Sequence, residues 1–469
     1  MRDSEDTRRR GLALRERMEA ALKKSRADYT DIRIEEGFSS GLNFRGKELD
    51  QIGSSRSTGG IVRALVKGGW GMATFNDLSD MEGKAQEAVE SARLVGKEET
   101  QLAEVEPVVE SIQTPIEEDF RQVALAEKKS TMEAYNELIL GYDGRIESTN
   151  VSYGDAFRLV RFANSEGAYI EEERPVVAVS LSAVARSGDN VQVAHESFAD
   201  TEAGFSLARG RAEEALEVAK RAVELLDAPP VQGGKFTVVL NPKLAGVFAH
   251  EAFGHLSEAD HVYENEQMKQ LMVLGRRFGP DLLNIVDDGS LPGLRGSHKY
   301  DDEGTPTRKN YLIKEGVLVG RLHSRETAAK MGEQPTGNAR ALNYRYEPIV
   351  RMTNTYIDKG NATFEEMIRD IRLGVYALDY FGGMTSLEMF TFSAGYGCMI
   401  RDGQIAEMVR DVVLTGNVFE TLMNIDTLGD KVEWASAGGG CGKDGQSPLP
   451  VDDGSPHIRI QNVVVGGRQ

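Results

Sequence analysis

The sequence NPKLAGVFAHEAFGHLSEADH, from Asn241 to His261, carries an apolar helical stripe followed by two histidines and a glutamate. Apolar residues recur at helical spacing up to Phe248, so a helix is predicted directly after the short strand KFTVVLNP. His250, Glu251 and His255 then fall within six residues. This grouping is typical of hydrolytic zinc sites, because zinc needs neutral nitrogen ligands and its water needs a base.

The spacing of the two histidines predicts a distorted helix. Histidines four apart lie about 40° apart around a regular helix, whereas a separation of five places His250 and His255 about 140° apart. Side chains at that angle do not easily share one metal ion, but a π-type turn with i to i+5 bonding returns them to one face. Gly254 lowers the cost of such a distortion. We therefore predict a π-type turn between the histidines, with Glu251 as the general base.

A third ligand must come from elsewhere, because two imidazoles alone rarely hold catalytic zinc. The best candidate is Cys441, which lies in AGGGCGKDG, residues 437–445, where five glycines allow the backbone to approach a metal closely. Lys443 is expected to keep the sulfur ionised. Two nitrogens and one sulfur suit zinc better than magnesium or calcium. The rival ligands, by proximity to the second histidine, are Glu258, Asp260 and His261.

Other chemistries fit parts of this pattern. The histidines could be an ordinary pair and Cys441 a small buried thiol. Alternatively, Cys441 is a nucleophile that uses a histidine as base and loop amides as an oxyanion hole, although this leaves the histidine and glutamate cluster unexplained. A phosphate-binding loop is disfavoured, because Ala437 stands where its first glycine is required and Asp444 where Ser or Thr is required.

Two further segments carry polar residues without a decisive pattern. The run from Tyr300 to Gly304, YDDEG, lacks the alternating ligand spacing of a calcium loop and predicts a tight turn between strands. The segment PTGNARALNYRYEP contains Arg340, Asn343, Tyr344 and Arg345. These side chains either contact substrate or fasten a loop, so the pattern assigns no substrate-binding residue.

Composition restricts the class of protein. The chain has 469 residues and a formal net charge of −19, which disfavours a nucleic-acid surface built on clustered Lys and Arg. It has no run of about 18 apolar residues and no apolar segment near its start, so neither a membrane span nor a signal peptide is predicted. Its two cysteines are too few for a disulfide framework and fit a reducing compartment. We predict a cytoplasmic protein.

The order of elements predicts an α+β protein of two domains. Strand patterns and amphipathic helices in the first half indicate an antiparallel sheet with helices. A long helix ends near Ala228, and Pro229 and Pro230 cannot continue it, so the predicted domains are 1–228 and 229–469. The second domain is predicted to be mostly antiparallel β with a distorted metal-binding helix. The stretch 261–293 fits no clear pattern and is expected to be a loop or mobile flap.

Four motifs in the second half resemble the TldD/PmbA family, which was first known for modulators of DNA gyrase and is now regarded as a family of metalloproteases. In chain order they are HEAFGHLSEAD, HKYDDEGTPT, PTGNARALNYRYEPIVRMTNTYI and GGGCGKDGQS, within residues 236–467. The family's peptidase-competent branch has H-E-x-x-x-H and a distant Cys as zinc ligands. These match His250, Glu251, His255 and Cys441, so the chain looks like the TldD branch.

The resemblance also implies how the protein works. It implies a zinc metalloprotease that hydrolyses unfolded or short peptides, bound as an added β-strand inside a dimer. The partner is a second copy or a metal-free PmbA-like paralogue. A non-catalytic, zinc-stabilised partner subunit is the alternative. Leu256 and Ser257 stand where the family usually has a glycine, which changes the surroundings of Glu258 and not the metal set.

Overall fold

The computed structural model describes residues 2–96, 100–386, 388–436 and 439–466. The strands of the N-terminal half are β1 (Tyr29–Arg45), β2 (Glu48–Val66), β3 (Gly69–Phe75), β4 (Val109–Ile112), β5 (Ile146–Asn164), β6 (Tyr169–Ser187) and β7 (Asn190–Asp200). They form one seven-stranded sheet in the order β3-β2-β1-β5-β6-β4, with β7 also paired to β6. Its pairings are antiparallel except that between β4 and β6, so the predicted antiparallel sheet is confirmed.

Four helices cover this sheet. They are α1 (Arg2–Ser25), α2 (Met81–Val95), α3 (Leu125–Gly141) and α4 (Ala212–Asp227). Apolar side chains of α1 and α2 share a core with β1, β2 and β3, and those of α3 and α4 share another core with β1, β5 and β6. The helices bury their apolar faces against the sheet because isolated helices of this length gain little stability in water.

The C-terminal half contains shorter strands and helices. Its strands are β8 (Gly234–Leu240), β9 (Ile285–Asp288), β10 (Lys309–Lys314), β11 (Val317–Leu318), β12 (Ala339–Arg340), β13 (Ile349–Val350), β14 (Asn354–Ile357), β15 (Leu373–Ser386), β16 (Met389–Arg401), β17 (Gln404–Val409), β18 (Val413–Asn417), β19 (Ile425–Leu428), β20 (Glu433–Trp434), β21 (Cys441–Lys443), β22 (Gln446–Leu449), β23 (Asp452–Ser455) and β24 (Ile458–Gly466). Its helices are α5 (Pro242–Ala249), α6 (Ala259–Glu264), α7 (Glu266–Leu271), α8 (Arg325–Met331), α9 (Phe364–Ile368) and α10 (Val418–Met423).

Two large sheets and two small ones organise this half. One sheet runs β15-β8-β24-β18-β16-β17, with β19 beside β24, and it closes on itself because β15 also pairs with β16. The other runs β11-β10-β9-β14-β23-β20. Among the larger pairings only β8 with β15 and β14 with β23 are parallel. The α+β class with a mostly antiparallel second half is therefore confirmed, and α5 lies between the two sheets in their shared core.

The expectation of a loop or mobile flap over residues 261–293 is met only in part, because residues 272–284 and 289–293 lie outside the helices and strands but most of the rest does not. This stretch contains most of α6, all of α7 and the whole of β9. Met272, Phe278 and Leu283 are buried in the main core of the C-terminal half. The sequence pattern missed these elements because each helix is only six residues long, which is too short for a visible helical period.

Buried ion pairs join the acidic run at Tyr300 to the N-terminal sheet. Asp302 lies 3.2 Å from Arg33 and 2.9 Å from Arg174, and Glu303 lies 3.2 Å from Arg63. The run itself makes the tight turn that the sequence predicts. The carboxylates of Asp302 and Glu303 therefore fasten the two halves of the chain together.

Two other features bear on the predicted organisation. Helix α4 ends at Asp227 and β8 begins at Gly234, on either side of the boundary proposed after Ala228, which remains a prediction. No helix in the described ranges combines the length and apolarity needed to cross a membrane.

Candidate metal centre

The helix that carries the histidines changes its pitch where the spacing predicts. Asn241 caps the N-terminus of helix α5, because its side chain accepts a hydrogen bond from the Leu244 amide at 3.0 Å. The chain then forms one π-helical turn over His250–Gly254, and the amide of His255 donates to the carbonyl of His250. The two imidazole rings consequently lie on one side, with centroids 5.0 Å apart. The predicted π-type distortion is confirmed.

Gly254 has a different role from the one predicted. Its φ of −57° and ψ of −55° are ordinary right-handed helical values, so the turn does not require the conformational freedom of glycine. A Cβ at this position would lie 2.0 Å from the sulfur of Met352, which is fully buried. Glycine is needed here because Met352 packs directly against the helix.

We expect Gly254→Ala to lower the free energy of unfolding by about 1–3 kcal/mol, because the added methyl overpacks a closed core. Urea denaturation of the two proteins measures the difference. Gly141→Ala is the matched control, because no atom lies within 4 Å of a Cβ added there. A Gly254→Ala protein as stable as wild type would contradict the assignment of close packing at Met352.

The structure brings Cys441 to the two histidines. Cys441 begins β21, 186 residues after His255, and its sulfur lies 3.3 Å from Nε2 of that histidine. One ligand atom each from His250, His255 and Cys441 lies within 4.8 Å of the others. In the described ranges this is the one such group of three His, Cys, Asp or Glu residues. Ala437 and Gly438, at the start of the glycine-rich loop, lie outside the described residues.

Each imidazole is oriented by a carboxylate. Nδ1 of His250 lies 2.8 Å from Asp453, and Nδ1 of His255 lies 3.0 Å from Glu258. Contacts of this kind fix the tautomer and the ring direction of metal-binding histidines. With Nδ1 occupied, each ring has Nε2 left for a metal.

Asp453 has no signal in the sequence, and Glu258 was only a rival to Cys441 as a ligand. Asp453 follows the glycine-rich loop on β23, and α5 packs so closely on that strand that a Cβ at Gly246 would meet its backbone at 3.0 Å. No local sequence pattern predicts that α5 and β23 pack this closely. Glu258, a rival ligand in the sequence analysis, supports a histidine instead of joining the ligand group, and Asp260 and His261 also lie outside that group.

Lys443 does not contact the sulfur as predicted. Its ammonium group donates to Asp260 at 2.7 Å and to the carbonyl of Val350 at 2.9 Å, and it lies 3.3 Å from Glu258. The lysine therefore joins the hairpin of Cys441 to the segment that follows the π-turn. Burial raises the pKa of the Cys441 thiol, but hydrogen bonds and charge from the two histidines lower it to about 5.

Glu251 lies at the edge of the ligand group. It lines a cavity of about 320 Å³ together with both histidines and Cys441. It also lines an adjoining open groove of about 710 Å³ that reaches Glu264 and Thr385. Burial raises the pKa of its carboxyl group, while charge on the histidines lowers it. A half-buried carboxylate beside the donors and facing open space is suited to act on a water molecule there.

The segment after Pro335 fastens two parts of the chain. The carbonyl of Asn343 accepts a hydrogen bond from Arg33 at 2.9 Å, and the Tyr344 hydroxyl accepts one from Asn76 at 2.6 Å. Both donors belong to the N-terminal half. Of the two interpretations left open by the sequence, loop fastening is therefore the observed role of these two residues.

Comparison with protein families assigns the chain to a family. The chain matches three models in sequence order: PmbA/TldA metallopeptidase domain 1 over residues 30–94, the central domain over 118–227 and the C-terminal domain over 233–467. The chain belongs to the PmbA/TldA metallopeptidase family. The resemblance seen in the four motifs is confirmed, and the third model spans the entire candidate metal centre.

Individual relatives agree with this assignment. A protein of Synechocystis sp. named a metalloprotease is 46% identical over 95% of this chain and 96% of its own. A protein of Saccharolobus solfataricus named a zinc metalloprotease TldD homologue is 32% identical, over 69% of this chain and 72% of its own. Among solved structures, a Thermotoga maritima protein described as a modulator of DNA gyrase aligns with a TM-score of 0.79 and 21% identity, over 97% of this chain and all of that one. TldE of Thermococcus kodakarensis aligns with a TM-score of 0.77 and 18% identity, over 96% of this chain and all of that one. The last two comparisons show a shared fold.

Proposed function

We propose that this protein is a zinc-dependent peptidase of the TldD branch, with zinc held by His250, His255 and Cys441 and with Glu251 as the general base. The observation that carries the proposal is the convergence of two imidazoles and one thiol beside a half-buried carboxylate. Three protein ligands, with a position left for water, are typical of catalytic zinc sites, whereas structural sites use four.

The donor set fits zinc in chemistry and in spacing. Two nitrogens and one sulfur form the borderline-soft set that zinc prefers over magnesium or calcium. A tetrahedral zinc ion keeps such atoms about 3.3–3.6 Å apart, and the sulfur of Cys441 lies 3.3 Å from Nε2 of His255. The complete group spans no more than 4.8 Å, so only small side-chain movements bring all three donors to these distances.

The residues of the chain divide the reaction between them. A bound zinc ion supplies a Lewis acid that polarises the scissile carbonyl and acidifies water. Glu251 accepts a proton from the attacking water and later donates it to the leaving amine. Asp453 and Glu258 keep the imidazoles in the orientation that presents Nε2. Hydrolysis then proceeds without a covalent intermediate.

The proposed substrates are unfolded or short peptides. The open groove beside Glu251 has the room for an extended chain, and an added strand is held mainly through main-chain hydrogen bonds that read little sequence. A dimer, formed with a second copy or with a metal-free PmbA-like paralogue, would enclose this groove and restrict it to such substrates. The proposed location is the cytoplasm.

One observation favours a second candidate function. The 3.3 Å contact between Cys441 and His255 is also the arrangement of a cysteine nucleophile with its histidine base. Under that mechanism Asp453 and Glu251 have no role in the chemistry, and metal removal leaves the rate unchanged. A non-catalytic zinc scaffold, the third interpretation, binds metal and cleaves nothing.

The test of the proposal is metal content together with peptide cleavage. Elemental analysis of the purified chain is expected to find about one zinc ion per chain. A pool of unstructured peptides should be cleaved, and a chelator should stop the cleavage until zinc is restored. Zinc without cleavage, in the chain alone and with an added PmbA-like partner, would support the scaffold. Cleavage without zinc would support the cysteine nucleophile.

We expect Asp453→Asn to weaken zinc binding by about 10–100-fold, because the carboxylate that orients His250 is lost while the shape of the side chain is kept. Competition with a chelator of known affinity measures the change. Asp444→Asn is the matched control, since Asp444 is exposed in the turn of the hairpin that carries Cys441 and lines only the open groove. Equal zinc affinity in both variants would contradict the assigned role of Asp453.

A further inference from the structure

A second cavity lies between the N-terminal sheet and the C-terminal half. Its volume is about 440 Å³, within the range of sites for small ligands. One wall comes from β6 and from the residues after β7, and the other comes from residues 289–307, β12 and the end of β22. None of the proposed metal ligands lines it.

This cavity adjoins the catalytic one. Arg295 lines both cavities. Leu449 and Pro450 line the second cavity, and the next residue, Val451, lines the catalytic one. A peptide that starts at Glu251 in the catalytic cavity and passes the side chain of Arg295 therefore reaches the second cavity. A group bound in the second cavity is then within reach of a peptide bound at the candidate metal centre.

Arg340 is a buried cation in this cavity without a carboxylate partner. Its side chain is 8% exposed and donates to two main-chain carbonyls, those of Met352 at 2.5 Å and Pro450 at 2.7 Å. No ion pair to Arg340 occurs among the side chains that the structure describes. Burial and the charge of Arg351 lower the pKa of Arg340 to about 9, although the nearby carboxylates of Asp302 and Asp287 raise it. A buried charge of this kind is stabilised by an anion.

His298 offers a second contact at the same wall. Its Nδ1 lies 2.8 Å from the carbonyl of Gly296 and so carries the proton of the neutral ring. Its Nε2 is buried and has no hydrogen-bond partner within the described residues. This nitrogen can accept a hydrogen bond from an N–H group, which a peptide main chain supplies.

The other charged groups of the cavity limit where an anion binds. Arg174 is paired with Glu172 and Asp302, and Lys299 is paired with Glu110. Arg158 donates to the carbonyl of Leu342 at 2.9 Å and lies 3.9 Å from Glu35. Glu173 and Glu202 line the wall that belongs to the N-terminal sheet. These two carboxylates repel an anion from their own wall and favour the wall that carries Arg340.

We propose that this cavity is a subsite for a carboxylate-bearing residue of the peptide substrate, with the carboxylate on Arg340 and the amide N–H on Nε2 of His298. The inference rests on the proposed peptidase function. The carboxylate comes either from the C-terminus of the peptide or from an acidic side chain. In the first case the position of the cleaved bond is set by its distance from the C-terminus of the peptide.

The test measures binding in the Glu251→Gln protein, in which peptides are not consumed. The probe is an eight-residue peptide of Ala, Ser and Val with an N-terminal fluorophore, prepared as a free acid, as an amide, and as an amide ending in Asp. Fluorescence anisotropy gives the three dissociation constants. The free acid is expected to bind about tenfold more tightly than the plain amide, because a charge-assisted contact to Arg340 is gained. If the Asp amide alone binds tightly, the subsite reads an acidic side chain.

Arg340→Gln in the same background should remove the preference for a carboxylate. Lys299→Gln is the matched control, because it removes an exposed cation at the rim of the same cavity that is already paired with Glu110. This variant should keep the preference for a carboxylate. If the Glu251→Gln protein without a cavity substitution binds all three peptides equally, the subsite is overturned and the peptidase proposal still stands. If no peptide binds at all, the proposed function fails and the subsite fails with it.

Discussion

Replacing Glu251 with glutamine is expected to leave zinc bound and to lower the rate of peptide hydrolysis by about 10²–10⁴-fold. Glutamine has the shape of glutamate but cannot accept the proton of the attacking water. Glu251 is adjacent to His250 in sequence, yet it contributes no atom to the ligand group. The metal content should therefore not change. Cleavage of the peptide pool and elemental analysis of the same preparation measure both quantities.

Glu264→Gln is the matched control for this prediction. Glu264 lines the same open groove as Glu251 but is exposed, and the substitution removes the same charge. It should retain most of the wild-type rate. Normal cleavage by Glu251→Gln would show that the general base is another group. Loss of zinc from this variant would instead show that Glu251 is needed to hold the metal.

The grouping of the two histidines and Cys441 was predictable because its main signal is local and is governed by geometry. A separation of five residues between two histidines cannot place them on one face of a regular helix, so a shared site requires a π-turn. That turn occurs at His250–Gly254. Cys441 could be predicted as a ligand because it is one of only two cysteines and lies in a run of glycines. These inferences need no knowledge of the three-dimensional contacts.

The supporting contacts were not predictable, because they depend on packing between distant elements. Asp453 is 203 residues from His250 and meets it only because α5 packs on β23 through Gly246. Lys443 lies two residues from Cys441 in sequence, but its side chain turns to Asp260. Residues two apart on a regular strand share a face, so alternation predicts both side chains on the side of the histidines. The pairing of β21 with β22 shifts register between Cys441 and Lys443, which no sequence pattern predicts.

The short helices of the C-terminal half show the same limit. Val262 of α6 and Met268 of α7 pack into the main core. Met272, Phe278 and Leu283, which follow these helices at irregular spacing, pack into the same core. By contrast, α4 shows a clear apolar period, and the long helix predicted to end near Ala228 ends at Asp227. Regular amphipathic elements carry their own signal, and irregular ones acquire their structure from the core that they complete.

Replacing Cys441 with alanine is expected to reduce the zinc content from about one ion per chain to less than about a tenth, and to abolish chelator-sensitive cleavage. The remaining two imidazoles lack the third donor that catalytic zinc requires. Loss of a direct ligand should cost more than the 10–100-fold effect of a supporting carboxylate. Cys398→Ala is the matched control, because Cys398 lies on β16 and is not part of the ligand group.

This variant also separates the two catalytic proposals. Both predict that Cys441→Ala is inactive, so the rate alone does not distinguish them. If Cys441 is a ligand, the variant loses its zinc, and the wild-type rate disappears with chelator and returns with added metal. If Cys441 is a nucleophile, the variant binds whatever metal wild type binds, and the wild-type rate survives chelation because the thiolate and His255 need no metal. If Cys441→Ala binds zinc with wild-type affinity, the sulfur is not a zinc ligand, and the nucleophile role of Cys441 is favoured.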